Sequence, residues 1–489
     1  MTSRPVLLLS TREMAAADSA AIAAGTPGIA LMEAAGWQVA RLVRQYYAPR
    51  KTVILCGPGN NGGDGFVAAR LLDRWGWPVK LALLGEREAL KGDAALAAAR
   101  WDGPIHPVSE DLLAGDPLVI DALFGAGLTR PLEGVARAVI EAISARGLSM
   151  VAVDLPSGVN GDSGAVLGAA AQAELTVTFV AAKPGHLLLP GRDLCGRLEI
   201  CEIGVKPPAS ATTFHNRPSL WIDKLPRPRA SGHKFSRGHL LVAGGADMTG
   251  AARLAARSGR RAGAGLTTLA APTGLAETYQ QDAPGMLVKP LTAWPDLLSD
   301  HRINAVVLGP GLGVGEATRR LTLQALGASK ACVLDADALT SFADNPLTLW
   351  FSRGAPVLTP HDGEYARLFR HQGDRLSRAR AGAKESGATI VLKGSDTVVA
   401  GADCRAAIAD NAPPDLATGG AGDVLAGLIG GLLAQGMPAF EAACAAVWIH
   451  GEAASIFGAG LVAEDLIDYL PRVFAELRED DGRGSHRLV

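Results

Sequence analysis

Asp423 is the residue of this chain best placed for acid–base chemistry. It closes the run Thr418-Gly419-Gly420-Ala421-Gly422-Asp423 and stands at the mouth of an apolar stretch running to Ala434. Leu425, Leu428, Ile429, Leu432 and Leu433 recur there at helical spacing. The remaining face is small (Ala426, Gly427, Gly430, Gly431), so it can press against a neighbouring element. A helix start offers free N–H groups and a positive dipole end, which suit a phosphate. A carboxylate there needs another task, such as taking a proton from a hydroxyl that attacks phosphorus. A Gly-rich turn capped by Asp is the plainer structural alternative.

Other reactive groups fall at the ends of strand-like runs. In the first half these runs are Thr52–Cys56, Val79–Leu84, Leu118–Leu123, Met150–Leu155, Leu175–Val180 and Leu198–Ile203. Helical patterns occupy 12–24, 29–47, 63–75, 88–100 and 133–146. Strands apolar on both faces, alternating with helices, predict a parallel sheet covered on both sides, with ligands beyond the strands' carboxyl ends.

After the first run comes Gly57-Pro58-Gly59-Asn60-Asn61-Gly62-Gly63-Asp64-Gly65, with a helix expected from Phe66. Gly57, Gly59 and Gly62 spell G-x-G-x-x-G, but the next strand closes on Leu84-Gly85-Glu86, a partial match to a dinucleotide fingerprint. The third and fourth runs lead into Asp121-Ala122-Leu123-Phe124-Gly125 and Asp154-Leu155-Pro156-Ser157-Gly158. Arg130, in the loop after Gly125, suits a phosphate. Asn61, Asp121 and Ser157 offer one carboxylate with neutral oxygens, which fits a monovalent hard cation. Each alone reads equally well as a turn residue serving its own backbone.

The second half restarts at Gly238–Ala243, with a helix near 249–263. Strands follow at Leu266–Ala270, Ala305–Leu308, Cys332–Leu334, Pro356–Leu358 and Thr389–Leu392. Their ends carry Gly309-Pro310-Gly311-Leu312-Gly313, Asp335-Ala336-Asp337, Thr359-Pro360-His361-Asp362-Gly363-Glu364 and Lys393-Gly394-Ser395-Asp396-Thr397. A His-x-x-Glu pair on one loop is weak support for a metal. His361 is expected to meet a ligand and Glu364 to begin a helix.

At 489 residues the chain is too long for one core. Hydrophobic residues make up 48% and charged ones 20%, as in an ordinary well-packed protein. With 47 Lys plus Arg against 49 Asp plus Glu, a net charge of −2 leaves no footprint for nucleic acid or membrane. The six cysteines show no metal spacing and read as reduced core residues. No apolar run reaches the roughly 18 residues of a membrane span, and the expected address is cytoplasmic. Prolines at 207, 208, 218, 226 and 228 interrupt the periodicity. The expected division is a domain over 1–215, a linker over 216–230, a second domain over 231–480 and a polar tail over 481–489.

The first half resembles the NAD(P)H-hydrate epimerase domain, through Gly57 to Gly65, Asp121 to Gly125 and Asp154 to Gly158. The resemblance implies that Asn60, Asn61, Gly62, Gly63 and Asp64, with Gly125, Ala126, Gly127, Leu128, Thr129, Arg130 and Pro131, hold the damaged nicotinamide nucleotide. Asp154 would meet its reactive end, and Asn61, Asp121 and Ser157 would hold potassium. Lys183 reads equally as a further lining residue and as a solvated strand-end lysine. The second half resembles the ADP/ATP-dependent NAD(P)H-hydrate dehydratase branch of the ribokinase-like superfamily. There Gly420 to Asp423 carries the superfamily feature; Gly309 to Gly313, Pro360 to Glu364 and Lys393 to Thr397 carry the branch.

The fold so implied is α/β: an N-terminal Rossmann-like three-layer αβα domain, then a ribokinase-like αβα domain. By the same resemblance Asp423 is the base, and the Ala421 and Gly422 N–H groups steady the transferring phosphoryl. Lys393, Gly394, Ser395, Asp396 and Thr397 would hold the nucleotide, and Ala251, Gly311 and His361 would line the hydrate pocket with Asp423. Magnesium is expected on the phosphates, ADP (or ATP) as co-substrate, and hydrated NADH and NADPH as substrates of a homo-oligomer. A small-molecule kinase fused to a non-catalytic dinucleotide-binding domain is the alternative.

Overall fold

The computed structural model describes residues 6–281, 284–350 and 355–479. The chain forms two compact units that part between Thr213 and Phe214.

The first unit opens with helices α1 (Thr11–Ala23) and α2 (Gly28–Tyr46). Its strands are β1 (Thr52–Cys56), β2 (Val79–Leu83), β3 (Ile105–Pro107), β4 (Leu118–Ala122), β5 (Met150–Val153), β6 (Leu175–Phe179) and β7 (Arg197–Cys201). They lie in the order β3-β2-β1-β4-β5-β6-β7, every pair parallel. The order reverses between β1 and β4, where open α/β sheets hold their ligands. The strand β3 has no counterpart among the expected runs, being three residues long and half-exposed.

One expectation is corrected here. The helix after β1, α3, spans Asn60–Arg74 instead of starting at Phe66. Its glycines serve contact: a Cβ at Gly62 would stand 1.9 Å from Gly57 O, and one at Gly65 2.8 Å from Cys56 Sγ. The helix start is therefore pressed onto the strand ends.

The second unit carries β8 (His239–Ala243), β9 (Leu266–Ala271), β10 (Leu287–Pro290), β11 (Ala305–Leu308), β12 (Ala331–Leu334), β13 (Val357–Leu358), β14 (Thr389–Leu392), β15 (Val398–Ala400) and β16 (Ala406–Ile408). They run β16-β15-β14-β13-β12-β11-β8-β9-β10 across the sheet. The pairs from β10 to β14 are parallel, and β14 to β16 form an antiparallel extension that the apolar runs did not announce. Helix α4 (Thr249–Arg261) packs against α5 (Ala421–Ala434). The small face of α5 makes this possible, since a Cβ at Gly427 would lie 2.0 Å from Ala255 O.

The first part of the segment expected as a linker, 216–230, is densely packed, whereas 227–230 is exposed. Asn216 and Trp221 are fully buried. Asn216 donates from Nδ2 to Cys444 O at 2.9 Å, and the Trp221 indole donates to Asn216 Oδ1 at 3.2 Å and packs on Trp448. Prolines exclude a regular helix but not dense packing of two short 3-10 turns, Pro218–Leu220 and Ile222–Lys224. The expected polar tail lies outside the described residues.

Gly427→Ala separates two opposed effects. Helix propensity alone would stabilise the variant by about 1 kcal/mol. The contact with Ala255 O predicts a net loss of about 1–3 kcal/mol, because the two helices must part. Chemical denaturation decides: an increase in stability would show that α4 and α5 are not in tight contact.

Candidate active sites

At the reversal point of the first unit a cavity of about 580 Å³ opens, lined by Asn60, Asn61 and Asp64, by Gly125 to Arg130, and by Asp154 and Lys183. Helix α1 contributes Thr11, Met14 and Asp18 to its wall. This size suits a small-molecule ligand.

Asp154 sits at its floor with φ of +66°, a left-handed conformation that turns its carboxylate back over the strand end. Its Oδ1 accepts from Lys183 Nζ at 2.7 Å and from Thr178 Oγ1 at 2.9 Å, and Oδ2 accepts from the Ala126 N–H at 2.8 Å. Burial works against this charge, but Lys183 and these donors hold the carboxyl at about 2. Lys183 is only 2% exposed, which settles its role as an internal partner of Asp154.

His186 completes the arrangement. Its Nδ1 accepts the Lys183 N–H at 2.9 Å, which leaves the proton on Nε2 to bond Asp154 O at 2.8 Å. Burial and the Lys183 charge lower its pKa to about 4, so the imidazole is neutral. Asp64 behaves oppositely to Asp154: burial, then the charges of Asp154 and Asp18, push its pKa well up. The cavity thus faces two carboxyls whose pKa values are pushed apart, Asp154 down and Asp64 up, the pattern of an acid–base pair.

Beneath the cavity Asp121 is fully buried. Its Oδ1 accepts from Ser157 Oγ at 2.7 Å and Leu123 N–H at 3.2 Å, and its Oδ2 from Ser157 N–H at 2.8 Å. These partners are all neutral, and burial raises its pKa. The Asp121 carboxyl with the Ser157 hydroxyl and the Phe124 carbonyl beside it supplies one acid and two neutral oxygens, a donor set that suits a monovalent cation. The Asn61 amide, in the first turn of α3, turns its oxygen towards the Gly125 N–H at 3.3 Å. Gly62 and Gly63 face into the packing of α3 and do not line the cavity, nor does Pro131.

In the second unit the strand ends of β11 to β14 and the start of α5 converge. Lys393 Nζ lies 2.7 Å from Asp335 Oδ1, which also accepts from Thr359 Oγ1 at 2.7 Å, and 3.9 Å from Glu364 Oε2. Burial opposes the Lys393 charge, but the two carboxylates outweigh it and its pKa rises. A Cβ at Gly422 would stand 3.6 Å from Lys393 Nζ, so the ammonium lies at the helix mouth. Gly420, with φ of +90°, admits the chain to α5 without a side-chain cap. The Ala421 N–H makes only a long bond to Thr418 O at 3.4 Å.

Asp423 opens this helix with its pKa raised to about 6 by burial, then by Asp335, against the pull of Lys393. That value suits a general base working near neutral pH.

Other expected groups take more structural positions. His361 Nδ1 accepts the Gly363 N–H at 2.9 Å, and Glu364 Oε2 accepts the His361 N–H at 2.9 Å, a reciprocal cap on the helix α6 (Asp362–Leu368). His361 nevertheless keeps a half-exposed ring. Asp337 Oδ2 holds the Gly313 N–H at 2.9 Å. Gly311, with φ of +66°, lies against Met248, whose O would stand 2.3 Å from its Cβ. Ala251 is buried in α4. Thr397 Oγ1 closes its loop onto Gly394 O at 2.7 Å; Asp396 is buried and Ser395 exposed.

Four residues of the first site carry no motif signal: Asp18, Thr178, Met14 and His186.

Comparison with known proteins agrees with this geometry. The NAD(P)H-hydrate dehydratase family matches residues 239–472, and the YjeF-related protein N-terminus family matches residues 28–185. The bifunctional NAD(P)H-hydrate repair enzyme Nnr of Moorella thermoacetica is 38% identical, over 93% of this chain and 94% of its own. That of Thermofilum pendens is 39% identical, over 92% of each. A solved ADP/ATP-dependent NAD(P)H-hydrate dehydratase from Bacillus subtilis, co-crystallized with ATP and Mg2+, is 30% identical; the match covers 52% of this chain and 95% of that one, with a TM-score of 0.47. With near-complete coverage and both unit types in the same order, this chain belongs to the bifunctional NAD(P)H-hydrate repair enzyme family.

Proposed function

We propose that the two units act in sequence on hydrated NADH and NADPH, the first exchanging the epimers at C6 and the second removing the water. The observation that carries this reading is Asp423, a carboxyl tuned to about 6 at an uncapped helix start beside a partly buried lysine. Hydroxide is a poor leaving group, so the C6 hydroxyl is first phosphorylated. Asp423 takes the hydroxyl proton as the oxygen attacks the terminal phosphorus of ADP. The Gly422 N–H, the Ala421 N–H and Lys393 steady the charge on the moving phosphoryl group. The C6–O bond then breaks, phosphate leaves, and loss of a proton from C5 restores the ring double bond, with AMP as the other product.

Asp335, Glu364, Asp337 and Asp423 outnumber Lys393 here, and such a site would repel a bare phosphate. Magnesium carried on the phosphates relieves that repulsion. Among the described residues no group of three His, Cys, Asp or Glu is gathered to hold a metal alone. This agrees with an ion that draws most of its ligands from phosphate and water.

In the first unit Asp154, Asn60, Asn61 and Asp64 meet the hydrated ring, and Gly125 to Arg130 cover its phosphates. Potassium would lie against Asp121, Ser157 and Asn61, holding the loops beneath Asp154 in place. The reading extends to a cytoplasmic, homo-oligomeric enzyme, since its substrates arise where NADH and NADPH are kept.

The test is incubation of the purified chain with mixed epimers of hydrated NADH, with and without ADP or ATP, followed by separation of the epimers. Epimer exchange without nucleotide, and NADH with released phosphate when it is present, are expected. A stable phosphorylated product would instead select a kinase, and turnover with ATP but none with ADP would overturn the donor.

Asp423→Asn should lower dehydration about 10²–10⁴-fold, with epimer exchange and melting temperature nearly unchanged. A residue acting only as a cap would leave turnover intact and cost about 1 kcal/mol of stability. Because the base must be ionised, kcat/KM should fall as pH drops through about 6, and the fall should vanish in Asp423→Asn. Asp121→Ala should abolish any response of epimer exchange to potassium and leave dehydration intact. Exchange indifferent to both the substitution and potassium removal would discard that site.

A further inference from the structure

Arg375 begins the helix α7 (Arg375–Ser386) outside both groups of expected site residues, yet its guanidinium is spent on them. Nη1 donates to Lys393 O at 2.9 Å, Nε lies 2.9 Å from Asp396 Oδ1, and Nη2 lies 2.6 Å from Asp362 Oδ2. The first two contacts grip the loop 393–397; the third grips the turn 361–364. The side chain is 16% exposed and Asp396 8%, so this is not a loose surface pair. Arg378 Nη2 holds the other oxygen of Asp362 at 2.8 Å.

Gly394 follows from the same contact, since its Cβ would stand 2.8 Å from the guanidinium carbon. The two segments also touch through the backbone, where the Lys393 N–H donates to Pro360 O at 2.8 Å. A guanidinium holds its donors in a rigid planar fork, so displacing one partner disturbs the others.

We propose that Arg375 is a positioning residue that couples the nucleotide loop to the hydrate-side turn, so that filling one half of the site prepares the other. This rests on the reading of 393–397 as the nucleotide loop and 361–364 as part of the hydrate pocket. By fixing Lys393 O it also fixes the direction in which the Lys393 side chain leaves towards Asp335. Coupling between two ligands is reciprocal, so it can be read from either one.

The experiment titrates the full chain with ADP, with and without saturating NADH, the dehydration product, which occupies the hydrate pocket and cannot react. In the wild type NADH should tighten ADP by roughly fivefold or more. In Arg375→Lys and Arg375→Ala that factor should fall to near one. Asp362→Asn, at a half-exposed residue, should also lose the factor, which keeps the test open if Arg375→Ala fails to fold. A residue of purely structural importance would lower melting temperature and leave the factor unchanged. Wild-type coupling retained in Arg375→Lys and Asp362→Asn, or absent from the wild type, would overturn the proposal. Failure of the wild type to convert hydrated NADH with either nucleotide would instead overturn the reading of the site.

Discussion

Each unit sets a lysine against an aspartate at the carboxyl end of its sheet, at 2.7 Å in both cases. Burying an ion pair costs desolvation that its attraction only partly returns, so such pairs are poor devices for stability alone. Their value lies in the charge they set around them. In the first unit Lys183 holds Asp154 ionised against the cost of burial, whereas burial, helped by the Asp154 charge, raises Asp64. In the second, burial and then the charge of Asp335 raise Asp423 to about 6, while Lys393 pulls the other way. One arrangement yields an ionised carboxylate facing a neighbour whose pKa is raised; the other yields a base matched to neutral pH.

These pairs hold their geometry because the backbone around them is packed without room to move. A Cβ at Gly57 would stand 1.8 Å from Leu123 O, and one at Gly309 1.7 Å from Asp335 O. Side chains there would force apart the strand ends that carry Asp121 and Asp335. The glycine-rich loops therefore bring the oxygen and nitrogen donors of neighbouring strands within reach of one ligand, and close approach to a phosphate is only part of their use.

The strands were legible because fully buried parallel strands read as short apolar runs; Thr52–Cys56, Ala305–Leu308 and Thr389–Leu392 stand where the runs placed them. What escaped has physical causes. Val398–Ala400 and Ala406–Ile408 are three-residue strands whose identity comes from pairing, not from periodicity. The start of α3 was hidden because glycines at 62, 63 and 65 look like a loop until their tight contacts are seen. Trp221 lay among prolines, and only its burial against Trp448 shows that the segment belongs to a core. Within the sites, Asp423 and Asp154 were marked by their motifs. His186, Asp18 and Arg375 were not: Asp18 lies on a helix far in sequence from the loops it faces, and His186 and Arg375 reach Asp154 and Asp396 across 32 and about 20 residues.

The claim on which most depends is that Lys393 and Asp335 form a mutually dependent buried pair that sets the charge at the helix mouth. It is tested most directly by equilibrium unfolding of Lys393→Met, Asp335→Leu and the double variant. Each single change leaves a buried charge without its partner and should cost about 3–5 kcal/mol, whereas the double change should recover most of that stability while dehydration stays lost. Single variants as stable as the wild type, or a double variant whose loss is the sum of the two, would contradict the account.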